Sequence, residues 1–174
     1  PHLITIPSPA VAPSAARDFD FLMGPWRIRN TRLVRRLAGC NDWEVFDAAG
    51  TAHPLPGGIG NYDSFTPLAW KPGFVGMALR VFSPESQRWS IYWLDNLTGG
   101  LDPATGQLLP PVVGGFQDGV GLFEGGDLFE GRPVRVRFEW SQMHTGAPRW
   151  QQAFSADGGA TWEVNWVMEM ARPV

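Results

Sequence analysis

The stretch that decides the fold is Trp150–Trp166, which reads WQQAFSADGGATWEVNW. A glycine-containing turn, S-A-D-G-G-A-T-W, separates two segments in which large apolar residues alternate with polar ones. Alternation with a period of two predicts β-strands, and a short turn between two strands predicts an antiparallel hairpin. If the turn pairs Phe154 with Trp162, then Trp150 faces Trp166 across the hairpin. We therefore predict that indole rings share one face of a sheet.

The segment before this hairpin extends the same face. Its alternation places Val134, Val136, Phe138 and Trp140 on one side and charged residues on the other. An even register between the two strands brings Trp140 beside Trp150. Such an aromatic face either fills a core or lines a cavity, and nine tryptophans are many for filling alone. We predict a cavity lined partly by Trp93, Trp140, Trp150 and Trp166.

Composition favours short strands over helices. The chain has 174 residues, of which 44% are hydrophobic and 18% charged, with 21 glycines, 16 prolines and 13% aromatic residues. Glycine and proline interrupt helices, whereas aromatic residues suit pleated surfaces. We predict an extended, proline-rich arm over residues 1–14 and one all-β domain over residues 15–174. The predicted architecture is an up-and-down antiparallel barrel of about eight to ten strands, because closure removes exposed sheet edges. A β-sandwich is the alternative.

A short helix is predicted before the first strand. The segment Ser14–Leu22 begins with a residue type that caps helices and ends before Gly24-Pro25, which stop them. Its apolar residues fall on one side, so we expect it to cover one end of the barrel as a lid or plug. A second lid candidate is the stretch 96–115, which is rich in Gly, Pro and Leu and has no regular pattern.

The clearest hairpin in the middle of the chain joins Phe74–Phe82 to Arg88–Asp95. Its loop, S-P-E-S-Q, contains residue types that favour turns. If Val81 opposes Trp89, one face of the hairpin is apolar. Arg80 and Tyr92 then share the opposite, mixed face.

Charge and cysteine content bound the partners and the compartment. The formal net charge is −3, so no nucleic-acid partner is predicted. The five arginines within residues 27–36 are expected mainly at the surface, with an anion site as the alternative. Cys40 is the only cysteine, which favours a reducing compartment, and we predict a cytoplasmic location. Removal of a leader before residue 1 is the alternative. No apolar run approaches the roughly 20 residues of a membrane span, so no membrane partner is predicted.

Two motifs resemble those of lipocalin-like (calycin) barrels. The run FDFLMGPW at Phe19–Trp26 resembles the Gly-x-Trp entry to the first barrel strand, and FSPESQRWSIYWLD at Phe82–Asp95 is similar to a hairpin of bacterial lipocalin-like families of unknown function. The resemblance implies that Gly24 and Trp26 are structural and that Trp26 closes one barrel end. It also implies Arg172 as a cation–π partner of that tryptophan.

The turn inside the last hairpin matches an Asp-box at Ser155, Asp157, Gly159, Thr161 and Trp162. Its carboxylate and hydroxyl groups bond turn amides, and its glycines permit the chain reversal, so we predict a structural role. The motif resembles those on sialidase propeller blades. A propeller needs several copies and this chain has one, so sialidase activity is not predicted.

Few residues suggest catalysis. His53 opens the irregular segment HPLPGGIGNYD, and we name His53, Asp63 and Glu163 as candidate acids or bases. The three histidines do not have the spacing of a metal site. Lys71 is the only lysine and lies outside any P-loop, the glycines do not follow the dinucleotide pattern, and no G-x-S-x-G elbow occurs. We therefore predict neither a metal nor a cofactor.

Three functional hypotheses remain open. The first is binding of a small hydrophobic or aromatic molecule in a tryptophan-lined cavity. The second is a cofactor-free isomerase, cyclase or hydratase acting on a small metabolite there, and the third is a homodimeric interaction module. The predicted ligand-binding residues are Asn61, Tyr62, Arg80, Tyr92, Trp93, Trp140, Trp150 and Trp166.

Overall fold

Residues 15–174, which a computed structural model describes, form a closed barrel of ten antiparallel strands. Each strand pairs with the next along the chain, and the last pairs with the first, which confirms the predicted all-β, up-and-down barrel. The arm predicted over residues 1–14, and with it the helix cap at Ser14, lies outside the described residues. The strands are β1 (Gly24–Leu33), β2 (Trp43–Pro54), β3 (Gly60–Pro67), β4 (Gly76–Ser83), β5 (Arg88–Asp95), β6 (Val112–Gln117), β7 (Val120–Phe129), β8 (Arg132–Ser141), β9 (Arg149–Ser155) and β10 (Glu163–Ala171).

Strand alternation separates the barrel interior from its outer surface. In β1, Trp26, Ile28 and Asn30 are buried inside, whereas Arg27 and Arg29 between them are exposed. Side chains on a strand point alternately to its two faces, so one face of every strand supplies the interior. The core and the cavity are therefore built from the same set of inward positions.

Two short 3-10 turns, Ala15–Arg17 and Asp20–Leu22, close one end of the barrel where a short helix was predicted. Phe19 is 1% exposed. Its ring meets Trp89 edge-on at a centroid distance of 4.9 Å and Phe116 at 4.8 Å. Leu22 accepts a hydrogen bond of 2.6 Å from Nε1 of Trp26. These contacts show that residues 15–22 form a plug, which is the name we use for them.

The entry to β1 is held by an arginine from the other end of the chain. The Arg172 guanidinium carbon lies 3.6 Å from the centroid of the Trp26 ring, so the expected cation–π contact is present. Arg172 also donates to the carbonyl of Pro25 at 2.9 Å. Gly24 has φ +95°, and a Cβ there would lie 3.0 Å from Nη1 of Arg172. Both its backbone angle and the space around it favour glycine.

The register of the last hairpin differs from the predicted one. Trp150 pairs with Met168, so the predicted pairing with Trp166 is wrong. Trp166 pairs instead with Gln152, because the register shifts between Val164 and Trp166. A bulge of this kind adds a residue to one strand and reverses the faces of the residues on either side of it. Val164 and Trp166 therefore lie on opposite faces of β10, although they are two residues apart.

The register of the β4–β5 hairpin also differs, by one residue. Phe82, not Val81, pairs with Trp89, because the connecting loop has four residues, 84–87, and not five. As a result, Arg80 lies on the same inward face as Phe82 and Trp89. Tyr92 lies on the opposite face, so the predicted shared face of Arg80 and Tyr92 is wrong.

The Asp-box turn joins β9 to β10 through hydrogen bonds to Asp157. Its carboxylate accepts from the Thr161 backbone N–H and the Ser155 hydroxyl, both at 2.8 Å, and from the Thr161 hydroxyl. These bonds lower the pKa of Asp157 to about 2, with the Thr161 hydroxyl as the largest cause. Phe154 pairs with Glu163, so its predicted pairing with Trp162 is wrong. The Trp162 ring lies beneath the Arg137 guanidinium, 3.8 Å from its carbon.

Replacing Thr161 by Val is expected to raise the pKa of Asp157, because the variant loses the hydroxyl donor and keeps the backbone donor. The folded pKa lies below the ordinary value, so the carboxylate stabilises the fold above about pH 4, and this contribution is lost as the pH falls through about 2. A carbon-13 NMR titration of the Asp157 carboxyl group measures the shift. Thr145→Val, in another hairpin loop, is the control; an unchanged Asp157 pKa in Thr161→Val would contradict this assignment.

Candidate functional site

A cavity of about 350 Å³ lies inside the barrel. Part of its lining is an aromatic wall contributed by β8, β9 and β10. The Trp150 ring meets Phe138 at a centroid distance of 5.0 Å and Trp166 at 6.3 Å, both edge-on. Trp140 pairs with Trp150 across β8 and β9, as predicted. The aromatic wall is defined as Phe138, Trp140, Trp150 and Trp166, all of which line the cavity.

The cavity runs from the plug towards the opposite end of the barrel. Leu22 of the plug and Trp26 at the start of β1 line its closed end. Arg32, at the far end of β1, also lines it, together with Arg36 and Lys71 from the loops beyond the strands. We call this far end, lined by Arg32, Arg36 and Lys71, the mouth. Residues 96–111, which include most of the predicted lid, connect β5 to β6 there, and Pro110 lines the cavity.

A polar cluster of Asn61, Asp63 and Arg80 is held deep in the barrel. The register places Asn61 opposite Arg80, and Asp63 opposite Ala78, on neighbouring strands β3 and β4. Arg80 is 4% exposed and donates to Asp63 Oδ2 at 2.7 Å and to Asn61 Oδ1 at 3.0 Å. Asp63 also accepts from the Ala78 backbone N–H at 3.1 Å. The positive charge of Arg80 is thus neutralised. Of its three side-chain nitrogens, Nε alone has no hydrogen-bond partner within the described residues.

Arg32 is oriented by aromatic rings and one carboxylate. Its Nη1 donates to Glu44 Oε1 at 3.0 Å, and its guanidinium carbon lies 5.1 Å from the Trp166 ring and 5.4 Å from the Trp70 ring. These contacts fix the guanidinium plane at the mouth. Its Nε is buried and has no hydrogen-bond partner within the described part of the chain.

Arg36 differs from the other two arginines of the cavity, Arg32 and Arg80, because it has no ion pair within the described residues. Its guanidinium carbon lies 4.8 Å from the Phe129 ring and 5.6 Å from the Phe154 ring. It forms no hydrogen bond or ion pair with any residue from 15 to 174. Burial, and next the nearby charge of Arg32, lower the pKa of Arg36 to about 10, although neighbouring carboxylates oppose the shift. Arg36 therefore remains charged at neutral pH in an environment that disfavours the charge.

Several predicted site residues come together at the cavity. They originate from separate strands, which barrel closure brings around one space. Trp93 is 38% exposed and bonds to Asp95, so it lies at the edge of the lining, whereas Trp140 and Trp150 are buried. Asn61 contacts the cavity residue Arg80 without lining the cavity itself. The predicted residues that line the cavity are Asp63, Arg80, Trp93, Trp140, Trp150 and Trp166.

Other predicted residues lie elsewhere. His53 is exposed and its ring stacks on Tyr62 at a centroid distance of 5.1 Å, because the two pair across β2 and β3. Glu163 accepts a hydrogen bond of 2.8 Å from the backbone of Leu37. Neither His53, Tyr62, Tyr92 nor Glu163 lines the cavity. The three candidate acids and bases therefore do not share one site.

Sequence reasoning missed Arg32, Arg36 and Gln152, all of which line the cavity. The arginine run was expected mainly at the surface. Arg27, Arg29 and Arg35 are exposed, whereas Arg32 and Arg36 are half-buried. A signal for Arg32 exists, because it has the same strand phase as the inward residues Trp26 and Ile28. Arg36 follows the end of β1, where strand phase no longer applies.

Comparisons with known proteins assign no family: no family model matches the sequence, and no curated protein matches it. Within residues 15–174, no group of three or more His, Cys, Asp or Glu side chains could hold a metal ion. The helical turns of that region are all too short to cross a membrane.

Proposed function

We propose that this barrel binds a small hydrophobic or aromatic molecule inside its cavity. The observation that carries the proposal is the aromatic wall beside an interior space of about 350 Å³. Ligand sites in proteins are commonly apolar concavities of this size, with a few polar groups that orient the bound molecule. Here the apolar surface comes from the aromatic wall, and the polar groups belong to the deep cluster and the mouth.

The edge-on geometry of the wall supports this proposal. Trp150 is packed edge-on against both Phe138 and Trp166, which fixes the position of its ring before any ligand arrives. An aromatic pair contributes about 0.5–1.5 kcal/mol beyond the area that it buries. A ligand ring that enters such a prearranged site loses little binding energy to ordering of the protein side chains.

We also propose a relationship to lipocalin-like barrels. The support is the plug before β1 and the Trp26 ring held under Arg172 at 3.6 Å, together with closure of an antiparallel meander. This relationship is consistent with binding in the barrel interior, but the proposed function rests on the cavity and not on the relationship.

Replacing Trp150 by Leu is expected to weaken binding of a neutral aromatic probe about tenfold, which corresponds to about 1.4 kcal/mol, because the variant keeps an apolar side chain and loses the ring. The probes are 2-naphthol, indole and 1-decanol, measured by isothermal titration calorimetry. The wild-type protein is expected to show saturable binding of at least the aromatic probes.

Trp162→Leu is the matched control, because it removes an indole that lies under Arg137 and does not line the cavity. Its affinity for the probes is expected to equal that of the wild type, and circular dichroism checks that both variants fold. Equal affinity in Trp150→Leu and wild type, or no saturable binding of any of the three probes, would contradict the proposal.

A further inference from the structure

We propose that the ligand of this cavity is an amphipathic anion: an apolar or aromatic body with a single anionic oxygen group, such as a carboxylate, bound by Arg36 and Arg32 at the mouth. This inference rests on the proposed function and names the chemical class of its ligand. It goes beyond a general apolar site, because it assigns the polar end of the molecule to two particular guanidinium groups.

The three arginines of the cavity differ in whether they have a counter-ion. Arg80 has Asp63 as its counter-ion at 2.7 Å, and Arg32 has Glu44 at 3.0 Å. Arg36 has no ion pair with any residue that the structure describes. A half-buried guanidinium surrounded by Phe129 and Phe154 has lost part of its hydration without gaining a carboxylate. An anion at this position would compensate the charge.

The two carboxylates of the lining other than Asp63 accept hydrogen bonds from backbone groups. Asp95 accepts from the backbone N–H groups of Leu97 and Thr98 at 2.9 and 2.7 Å. Asp127 accepts from the backbone N–H of Leu128 at 2.7 Å. Neither forms an ion pair with Arg36; Asp127, with Glu130 and Glu163, acts on its charge only at longer range. A ligand anion would therefore not have to displace a carboxylate that is already bound to Arg36.

Arg32 has one side-chain donor, its Nε–H, that no described residue uses. Its Nε–H is buried and unpaired within residues 15–174, while Nη1 is bound to Glu44. Arg32 lies near enough to Arg36 for its charge to lower the pKa of Arg36. An anionic oxygen between them would accept charge-assisted hydrogen bonds, which are the stronger class of hydrogen bond in proteins.

The orientation of the ligand follows from the deep cluster. Arg80 is neutralised by Asp63, and Nε is its one side-chain nitrogen without a hydrogen-bond partner among residues 15–174, so it suits a neutral acceptor better than an anion. The aromatic wall extends from this cluster to the mouth, because the Trp140 ring lies 5.9 Å from the Arg80 guanidinium carbon and the Trp166 ring lies 5.1 Å from that of Arg32. The apolar body would therefore lie against Trp150 and Trp166, with its anionic group pointing outward to Arg36.

The test compares acids with their uncharged, nearly isosteric amides at pH 7 by isothermal titration calorimetry. The three pairs are 2-naphthoate and 2-naphthamide, 4-phenylbutanoate and 4-phenylbutanamide, and decanoate and decanamide. In the wild-type protein at least one acid is expected to bind ten times or more tightly than its amide. In Arg36→Gln that preference is expected to fall to less than threefold, with the affinity of the amide unchanged.

Arg29→Gln is the matched control, because it removes the same charge from an exposed, outward position on β1. It is expected to keep the preference for the acid. A second measurement needs no variant: the NMR signals of the Arg36 and Arg32 Nε–H groups in wild-type protein should move on addition of the acid and not of the amide.

The outcomes separate the two proposals. Equal binding of acid and amide in the wild type, or equal loss of the preference in Arg29→Gln and Arg36→Gln, would overturn the anion site and leave the apolar cavity standing. Failure of all six compounds and of the neutral probes to bind would overturn the proposed function, and this inference with it.

Discussion

Replacing Phe19 by Ala is expected to lower the free energy of unfolding by about 4 kcal/mol. Phe19 is 1% exposed, and its ring is enclosed by Trp89, Phe116 and Phe123 at centroid distances of 4.9, 4.8 and 5.7 Å, respectively. Truncation removes these contacts and leaves a cavity that strands of a closed barrel cannot collapse to fill. Urea denaturation followed by circular dichroism measures the change.

Phe21→Ala is the control, because it removes the same atoms from a half-buried side chain two residues away on the plug. Its expected cost is about 1–2 kcal/mol, since less apolar area is lost to water. Similar losses in the two variants would contradict the assignment of Phe19 as the residue that anchors the plug in the barrel.

The fold was predictable because its main signal, the alternation of apolar and polar residues along each strand, is local in sequence. Alternation along β8 is unbroken from Val134 to Trp140, so both its inward face and the pairing of Trp140 with Trp150 followed from the sequence. The bulge in β10 was not predictable, because Val164 and Trp166 have the same parity and both are apolar. Which of them faces inward depends on the pairing with β9, and no local pattern records that choice.

The candidate site was predictable only in part, for a related reason. Arg80 and Asp63 were named from the chain, but their ion pair depends on the register between β3 and β4. His53 was chosen for its chemistry, and its position beside inward-facing Ala52 puts it on the outer face. The arginine run that includes Arg36 was expected mainly at the surface, because strand alternation would place its members on both faces of a solvated edge. The place of Arg36 at the mouth follows from barrel closure, which sequence periodicity does not encode.

Replacing Asp63 by Asn is expected to lower the free energy of unfolding by about 3 kcal/mol. The variant keeps an oxygen that can accept from the Ala78 backbone N–H, and it leaves the Arg80 guanidinium, 4% exposed, without its counter-ion. A buried charge without a partner costs much more than the pair contributes as a pair. Urea denaturation at pH 7 measures the loss.

Asp47→Asn is the matched control, because Asp47 pairs with Arg27 at 3.5 Å on the exposed surface, where such a pair is worth less than about 1 kcal/mol. The decisive comparison adds Arg80→Met to Asp63→Asn. If the cost arises from the unpaired charge, removing that charge should restore most of the lost stability, because Met retains apolar volume beside Phe19. A double variant as unstable as Asp63→Asn alone would show instead that the carboxylate acts through its bond to Ala78 or through packing, and that the buried charge of Arg80 is tolerated without a counter-ion.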